Sequence, residues 1–500
     1  MFSERSTYGR VLNDQQLARR DKMNKLIEMG IHPFGKAYKR THLCQQIRDS
    51  FQHLDKEQLE QQSITVKVAG RIMFKRRMGK LGFAQIQDRS GMIQIVVNRN
   101  VVGDEVYEIF KINDVGDFIG VEGQVMKTDS GELSVRAAVY THLSKSLTPL
   151  PEKFHGLTNV EERYRRRYVD LFMNEEAKRI AFLRPTIIKT IRNYMDSLNF
   201  TEVETPVLTT LLTGAAARPF VTHHNTQDLD MYLRIALELP LKRLLVGGME
   251  AVYEIGRTFR NEGMGPMHNP EFTLMEAYLA YSDLSGMMNL TEGMFTEIAK
   301  VVGKDTYRFN GHEITVKAPF KRVSMVEAIR EKTGLDFKKE ISFQQAVAYA
   351  KEAGIEVEPH FSVGHIINAF FEKYVEETLI QPTFLYGHPV EISPLTRVSE
   401  DDPRFVDRFE LFVGGKEFAN AFTELNDPID QLQRFERQLK ERKLGNDEAS
   451  DVDMDFIEAL EYGMPPAGGI GYGIDRMIML FAEAESIREV ILFPTMKPVD

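Results

Sequence analysis

The 500-residue chain has a single cysteine, Cys44. One thiol cannot close an intrachain disulfide or build a cysteine-rich zinc site, and a reducing cytosol is the expected compartment. Long apolar runs are missing too. None approaches the roughly 18 residues that cross a bilayer as a helix, so no membrane partner is expected. The opening segment Met1-Phe2-Ser3-Glu4-Arg5-Ser6 is polar and charged, unlike a secretory leader. The chain also lacks an excess of positive charge: 63 basic against 73 acidic residues leave −10. A polyanionic partner must therefore be held by local basic patches. What remains is an ordinary globular balance, 43% hydrophobic and 27% charged, which excludes a disordered or collagen-like chain. At about 150 residues per domain, the length predicts roughly three domains.

Four segments are expected. Residues 1–62 read as helical, with Leu12, Leu17, Met23, Leu26 and Ile27 loosely at helical spacing and a stop at Gly30 and Pro33. Arg19, Arg20, Lys22 and Lys25 fall on the polar side, as a solvated face or an RNA-facing one. Residues 63–145 carry about five short β-rich runs broken by turns such as Arg89-Ser90-Gly91 and Asp129-Ser130-Gly131. Five strands in this length suit a small closed barrel of the oligonucleotide-binding type. Between Ser63 and Arg89 there are seven basic residues, Lys67, Arg71, Lys75, Arg76, Arg77, Lys80 and Arg89, against the one acid Asp88. Phe83 lies among them and Gln94 follows. Cations beside an aromatic platform suit unstacked RNA bases, although Phe83 in an ordinary barrel core fits the same pattern.

Residues 146–178 form a connector whose run Arg163-Tyr164-Arg165-Arg166-Arg167 follows Glu161 and Glu162. It reads equally as a salt-bridged hinge or a phosphate contact. From 179 to 500 strands and helices mix in the α+β manner. Ile180, Leu183, Ile187, Ile191 and Met195 repeat at helical spacing, with Pro185 interrupting the helix or starting its second half. A mostly helical insertion over about 321–380 carries capping signatures at Ser324-x-x-Glu327 and Ser342-x-x-Gln345.

The chemistry is concentrated in three stretches of this last segment. Residues 252–278 read as strand, loop, strand, and alternation puts Phe272, Leu274, Glu276 and Tyr278 on one face. Two polar groups on such a face need partners if buried. Arg260, at the strand end, offers a fork suited to phosphate or carboxylate. In residues 409–424, Gly414-Gly415 makes a hairpin turn that pairs Val413 with Lys416, Phe412 with Glu417 and Glu410 with Ala419. Glu410 and Glu417 then become diagonal neighbours about 7 Å apart. They are either two solvated glutamates or a pair that needs a hard cation between them. Strict alternation sends Asn420 and Glu424 to the opposite face, so a bulge near Ala419 is required if they share the site. In residues 465–480, glycine at every second position from Gly469 to Gly473 lets a ligand approach closely before Arg476 opens an apolar helix. This is neither a P-loop nor the dinucleotide fingerprint.

These residues carry a specific resemblance. Phe259-Arg260-Asn261-Glu262 with Phe272-x-x-x-Glu276 resembles motif 2 of the class II aminoacyl-tRNA synthetases. Gly469-x-Gly471-x-Gly473-x-Asp475-Arg476 resembles motif 3, and Phe200-Thr201-Glu202-Val203-Glu204-Thr205-Pro206 resembles motif 1, the dimer element. With a barrel in front, the order matches the lysine/aspartate/asparagine branch. Within that branch, Gly214–Phe220, Asp230–Arg234 and Glu417-x-x-Asn420-x-x-x-Glu424 are similar to its lysine-specific, bacterial-type members.

The resemblance implies a fold, an activity and a set of roles. The fold is an N-terminal OB-fold barrel followed by a class II catalytic domain on an antiparallel sheet with flanking helices. The activity is ATP-dependent formation of lysyl-adenylate and transfer of lysine to tRNA(Lys), by a homodimer using up to three Mg2+ ions with ATP. Arg260 and Arg476 would be the catalytic arginines on the α- and γ-phosphates. Glu262, His268, Asn269 and Phe272 would complete the ATP site, and Glu410 and Glu417 would bind the metal. Gly214, Glu238, Arg260, Glu276, Tyr278, Asn420 and Glu424 would hold lysine, the last with Tyr278 at the ε-ammonium. Arg76, Phe83, Gln94 and Glu132 would read the anticodon. One departure stands out: where the family commonly has Ala-Pro-Glu-Leu, this chain reads Ala236-Leu237-Glu238-Leu239-Pro240, and Pro240 removes a backbone donor beside Glu238.

Overall fold

The computed structural model describes residues 11–151, 159–211, 214, 217–444 and 452–498. The polar opening Met1–Ser6, and Ala215 and Ala216 of the glycine-alanine run, lie outside them. The chain forms two compact units, 1–156 and 157–500.

In the first unit the helix Asp14–Glu28 starts at a capping box between Asn13 and Gln16, where each side chain satisfies the other's backbone N–H. Its basic side does not present itself wholly to solvent. Arg19 donates to the carbonyls of Val115 and Ser146, and Lys22 pairs with Asp114, so two of the four cations tie the helix to the barrel. The barrel strands are β1 (Thr65–Met78), β2 (Leu81–Gln87), β3 (Met92–Asn98), β4 (Phe118–Lys127) and β5 (Leu133–Ser144), closed in the order β1-β2-β3-β5-β4. Alternation fills the interior with Val66, Val68, Ile72, Ile86, Ile93, Ile95, Val121 and Val135. Phe83 is half-buried and outside that core.

Within the expected connector, the second unit carries helices Val160–Arg165 and Arg167–Met173. The arginine run is salt-bridged: Arg163 and Arg167 pair with Asp170, and Arg165 with Glu161. Arg167 is buried and also donates to the carbonyls of Arg488 and Leu492. Helix Glu175–Ser197 then runs unbroken through Pro185, contrary to the expected interruption. Pro185 lies on the exposed side, while Ile180, Ile187, Ile191 and Met195 hold the other side in the core, so packing outweighs one missing hydrogen bond.

The framework is an eight-stranded sheet built from β6 (Thr201–Glu202), β7 (Ala251–Phe259), β8 (Glu271–Ala280), β9 (Lys321–Ser324), β10 (Thr383–Pro389), β11 (Phe405–Val413), β12 (Lys416–Thr423) and β13 (Ala467–Gly473). Its order is β9-β10-β11-β12-β13-β8-β7-β6, antiparallel except for the two end pairs, β9 with β10 and β6 with β7, which are parallel. One set of alternate residues, among them Met275, Ala277, Phe409, Leu411, Ile470 and Tyr472, packs with Met287, Met294 and Phe295 of the helix Leu284–Val302. The other set is the polar one. The segment from 325 to 378 carries helices Met325–Thr333, Phe343–Glu352 and Val363–Tyr374; Ser342 forms its expected capping box, whereas Ser324 precedes its helix without a side-chain cap bond.

Candidate active site

On the polar face of the sheet lies a cavity of about 670 Å3. The glycine pair between two of its strands works as expected: Gly414 and Gly415 both take positive φ, +60° and +69°, and turn β11 into β12. Val413 then pairs with Lys416 and Phe412 with Glu417, but Glu410 pairs with Asn420, not with Ala419. The pairing slips by one because Phe418 is an extra residue, a bulge one position before the one expected. That bulge turns Asn420 and Glu424 onto the face that already carries Glu410 and Glu417.

One end of the cavity is acidic. Glu276 accepts the Leu237 N–H at 2.9 Å and the Tyr278 hydroxyl at 2.9 Å. Burial and the nearby Glu238 charge push its carboxyl up to about 7. Leu237 thus makes a contact that the proline common in the resembling family could not make. Pro240 costs nothing here: it falls in the first turn of helix Glu238–Val246, whose N–H groups have no intrahelical partner. Glu238 lines the cavity and accepts from Lys242 at 2.6 Å. Glu424, 1% exposed, sits behind the wall, ion-paired to Lys242, and its Oε1 has no hydrogen-bond partner. Burial raises its carboxyl, with Lys242 pulling the other way. Tyr278 and Gly469 are directly paired across β8 and β13, and a Cβ at Gly469 would lie 1.9 Å from Glu424 Oε1 and 2.6 Å from the Tyr278 ring. Glycine there keeps the acids reachable. Gly214, with φ +86°, lines the same end.

The other end is cationic. Arg260 leaves β7, donates to the Ile235 carbonyl at 3.4 Å and lies 5.3 Å over the Phe272 ring. Arg476, at the start of helix Ile474–Ala482, donates to the Glu417 carbonyl at 2.7 Å and to His268 Nε2 at 3.2 Å. Burial and the Arg476 charge hold the His268 imidazole below its usual range, so it accepts as a neutral ring. Glu262 lines the cavity from the exposed loop, while Asn269 ties that loop down, donating to the Glu271 carbonyl at 2.6 Å. Arg408 was not singled out from the sequence, yet it bonds Asn420 at 2.9 Å and pairs with Glu410. Alternation would have found it two residues before Glu410. Burial works against the Glu410 charge, but Arg408 and His388 hold that carboxyl well below its usual range. Enclosure by the surrounding protein and the Glu410 charge push Glu417 upward, although its side chain opens to solvent in the cavity. Among the described residues no cluster of three or more metal-binding side chains occurs. An ion on this pair would complete its shell with water or with oxygens of a bound molecule.

The barrel presents its own surface. Arg76 and Phe83 are directly paired across β1 and β2, with the guanidinium 4.9 Å over the ring. Gln94 donates to Ser134 Oγ at 2.9 Å, which donates to the Glu132 carbonyl, and the Glu132 carboxylate accepts from Arg48 at 3.2 Å. Arg76 and Phe83 form an outward cation–aromatic pair, while Gln94 and Glu132 are already engaged within the barrel.

Comparison with known proteins agrees with these two arrangements. Residues 66–143 match the OB-fold nucleic acid binding domain, and residues 159–497 match the class II tRNA synthetases (D, K and N). A lysine–tRNA ligase of Lactococcus lactis subsp. lactis (strain IL1403) is 61% identical over 97% of this chain and 99% of the relative. One of Streptococcus sanguinis (strain SK36) is 59% identical over 97% of this chain and 98% of the relative. With the family match spanning well over half its length, the chain belongs to the class II tRNA synthetases of the aspartate, lysine and asparagine group.

Proposed function

We infer that this protein activates L-lysine with ATP to lysyl-adenylate and transfers the lysyl group to the 3′ end of tRNA(Lys). The observation that carries the reading is the polarity of one cavity: Glu238, Glu276 and Tyr278 line one end, with Glu424 buried behind that wall, and Arg260 and Arg476 line the other. Activation is in-line attack by a carboxylate on the α-phosphorus, with pyrophosphate leaving. No protein nucleophile is needed, only positioning and neutralisation of two anions that repel each other. Arg260 is the group to bridge carboxylate and α-phosphate, Arg476 with His268 to meet the terminal phosphates, and Phe272 with Glu262 to hold adenine; Asn269 braces their loop. Magnesium fits the charge-repelled carboxylates of Glu410 and Glu417, which would hold it together with phosphate oxygens, up to three ions per ATP. When bound, it supplies positive charge to the departing pyrophosphate. Gly214 and Glu238 would receive the α-amino group, Asn420 the carboxylate, and Glu424 with Tyr278 and Glu276 the ε-ammonium. An aspartate- or asparagine-specific relative would need a cation or amide donor where this pocket offers acids.

On the barrel, Phe83 is the platform on which an anticodon base stacks, with Arg76, Gln94 and Glu132 reading its edges. The working assembly is a cytosolic homodimer joined through the motif 1 region; among the described residues no helix is long and apolar enough to cross a membrane. ATP–pyrophosphate exchange with lysine and with aspartate tests the assignment, followed by charging of purified tRNA. Exchange supported by aspartate and not lysine overturns it.

A further inference from the structure

Lys242 is fully buried, and nothing in the adenylation chemistry calls for it. An ammonium out of water is costly unless charges and hydrogen bonds replace its hydration. Here the replacement comes from the acidic end of the cavity: Nζ donates to Glu238 Oε1 at 2.6 Å and is ion-paired with Glu424. The rings of Phe422 and Phe456 stand 5.2 and 6.0 Å from Nζ. Boxed in this way behind the cavity wall, the ammonium is a fixed part of the pocket. Glu424 Oε1 is left over, buried and unpartnered, beside the Cβ-free Gly469 and the Tyr278 ring.

We propose that Lys242 is a positioning and specificity-determining residue of the amino-acid pocket: a resident ammonium that clamps Glu238 and Glu424 and leaves Glu424 Oε1 as the acceptor that a second ammonium, the substrate's ε-group, must fill. The proposal rests on the lysine reading of the cavity and deepens it. Three carboxyl groups face one internal cation, and a substrate with two ammonium groups would draw the raised carboxyls of Glu276 and Glu424 into their ionised forms. A neutral side chain of the same length would leave the Glu424 oxygen unmet.

Lys242 keeps its charge. Burial pulls the Lys242 ammonium down, but the Glu238 and Glu424 charges more than offset this and keep it a cation. The groups facing Glu424 are Glu238 and Lys242 from helix Glu238–Val246, and Glu276 and Tyr278 from β8. Lys242 is the sole cation among these. Without it, the burial that already raises the Glu424 carboxyl would go unopposed and raise it further.

The test is Lys242→Met, which keeps the length of the side chain and removes the charge. The KM for lysine in pyrophosphate exchange should rise about 100-fold, as expected when one partner of a buried ion pair is lost. The KM for ATP should stay within about twofold. The acidic limb of kcat/KM for lysine should move to higher pH, and Lys242→Arg should bring it back. Should the methionine variant fail to fold, Lys242→Gln still donates hydrogen bonds but carries no charge, and the same displacement of the limb is expected. An unmoved limb, or equal rises in the lysine and ATP constants, would overturn the proposal and leave Lys242 a packing residue. Absence of lysine-dependent exchange in the unaltered enzyme is a different failure, that of the lysine reading itself.

Discussion

Replacing Glu424 by glutamine keeps the shape of the acidic end and removes its deepest charge. The kcat/KM for lysine in pyrophosphate exchange should fall at least about 100-fold, because a site built for a charged partner discriminates strongly once that partner is lost. The KM for ATP, set at the far end of the cavity, should barely change; an unaltered lysine constant removes Glu424 from the pocket. Two of the glycines of β13, Gly469 and Gly471, offer a contrast at the same scale. A methyl at Gly469 would meet Glu424 and Tyr278 at 1.9 and 2.6 Å, whereas one at Gly471 meets only the Glu276 side chain at 3.5 Å. Gly469→Ala should therefore cost about 1–3 kcal/mol of stability and most lysine activity, while Gly471→Ala keeps the lysine KM within a few-fold. Glu276 supplies a pH dependence. Its folded-state value of about 7 lies above the ordinary 4.5, so between these the native protein holds a proton that the unfolded chain releases. That contribution to stability is present at low pH and lost as pH rises through 7. Glu276→Gln cannot titrate, and its Tm should decline less than that of the parent between pH 5 and 7.5.

At the scale of elements, alternation was the legible part. Glu276 and Tyr278, and Glu410 and Glu417, come to one side because alternation along paired strands puts them there, and the glycine-spaced strand leaves them room. The bulge was foreseeable as a condition, that Asn420 and Glu424 reach the site only through an extra residue, but its place at Phe418 depends on how β12 lies between its neighbours. Pro185 was misleading in the opposite direction: a local rule forbids proline inside a helix, and a packed isoleucine face overrode it. Lys242 and Arg408 escaped notice because each reads alone as a surface cation, and only the fold sets each beside a glutamate. On the barrel, the pairing of Phe83 with Arg76 on the outer face favours the stacking role over the core role. Phe83→Ala should lower tRNA charging roughly 10-fold or more, a stacked base being worth about 1–3 kcal/mol, with lysine-dependent exchange unchanged. An equal fall in both rates would return Phe83 to a structural role.

For the whole molecule, the charge balance sets the terms of partnership. A net −10 chain meets tRNA against its overall field, and on the proposed reading the basic hairpin side of its barrel makes the contact. Raising the salt from 50 to 200 mM should therefore raise the KM for tRNA several-fold while lysine activation, carried out in an enclosed cavity, hardly responds. Equal salt sensitivity of the two steps would contradict this separation. The extra residue in β12 has a further implication. Every side chain downstream of Phe418 owes its orientation to that single insertion, so deleting it would rotate Asn420 and Glu424 into the packed interior and bring apolar neighbours out in their place. The number of residues along this stretch thus matters as much as their identity.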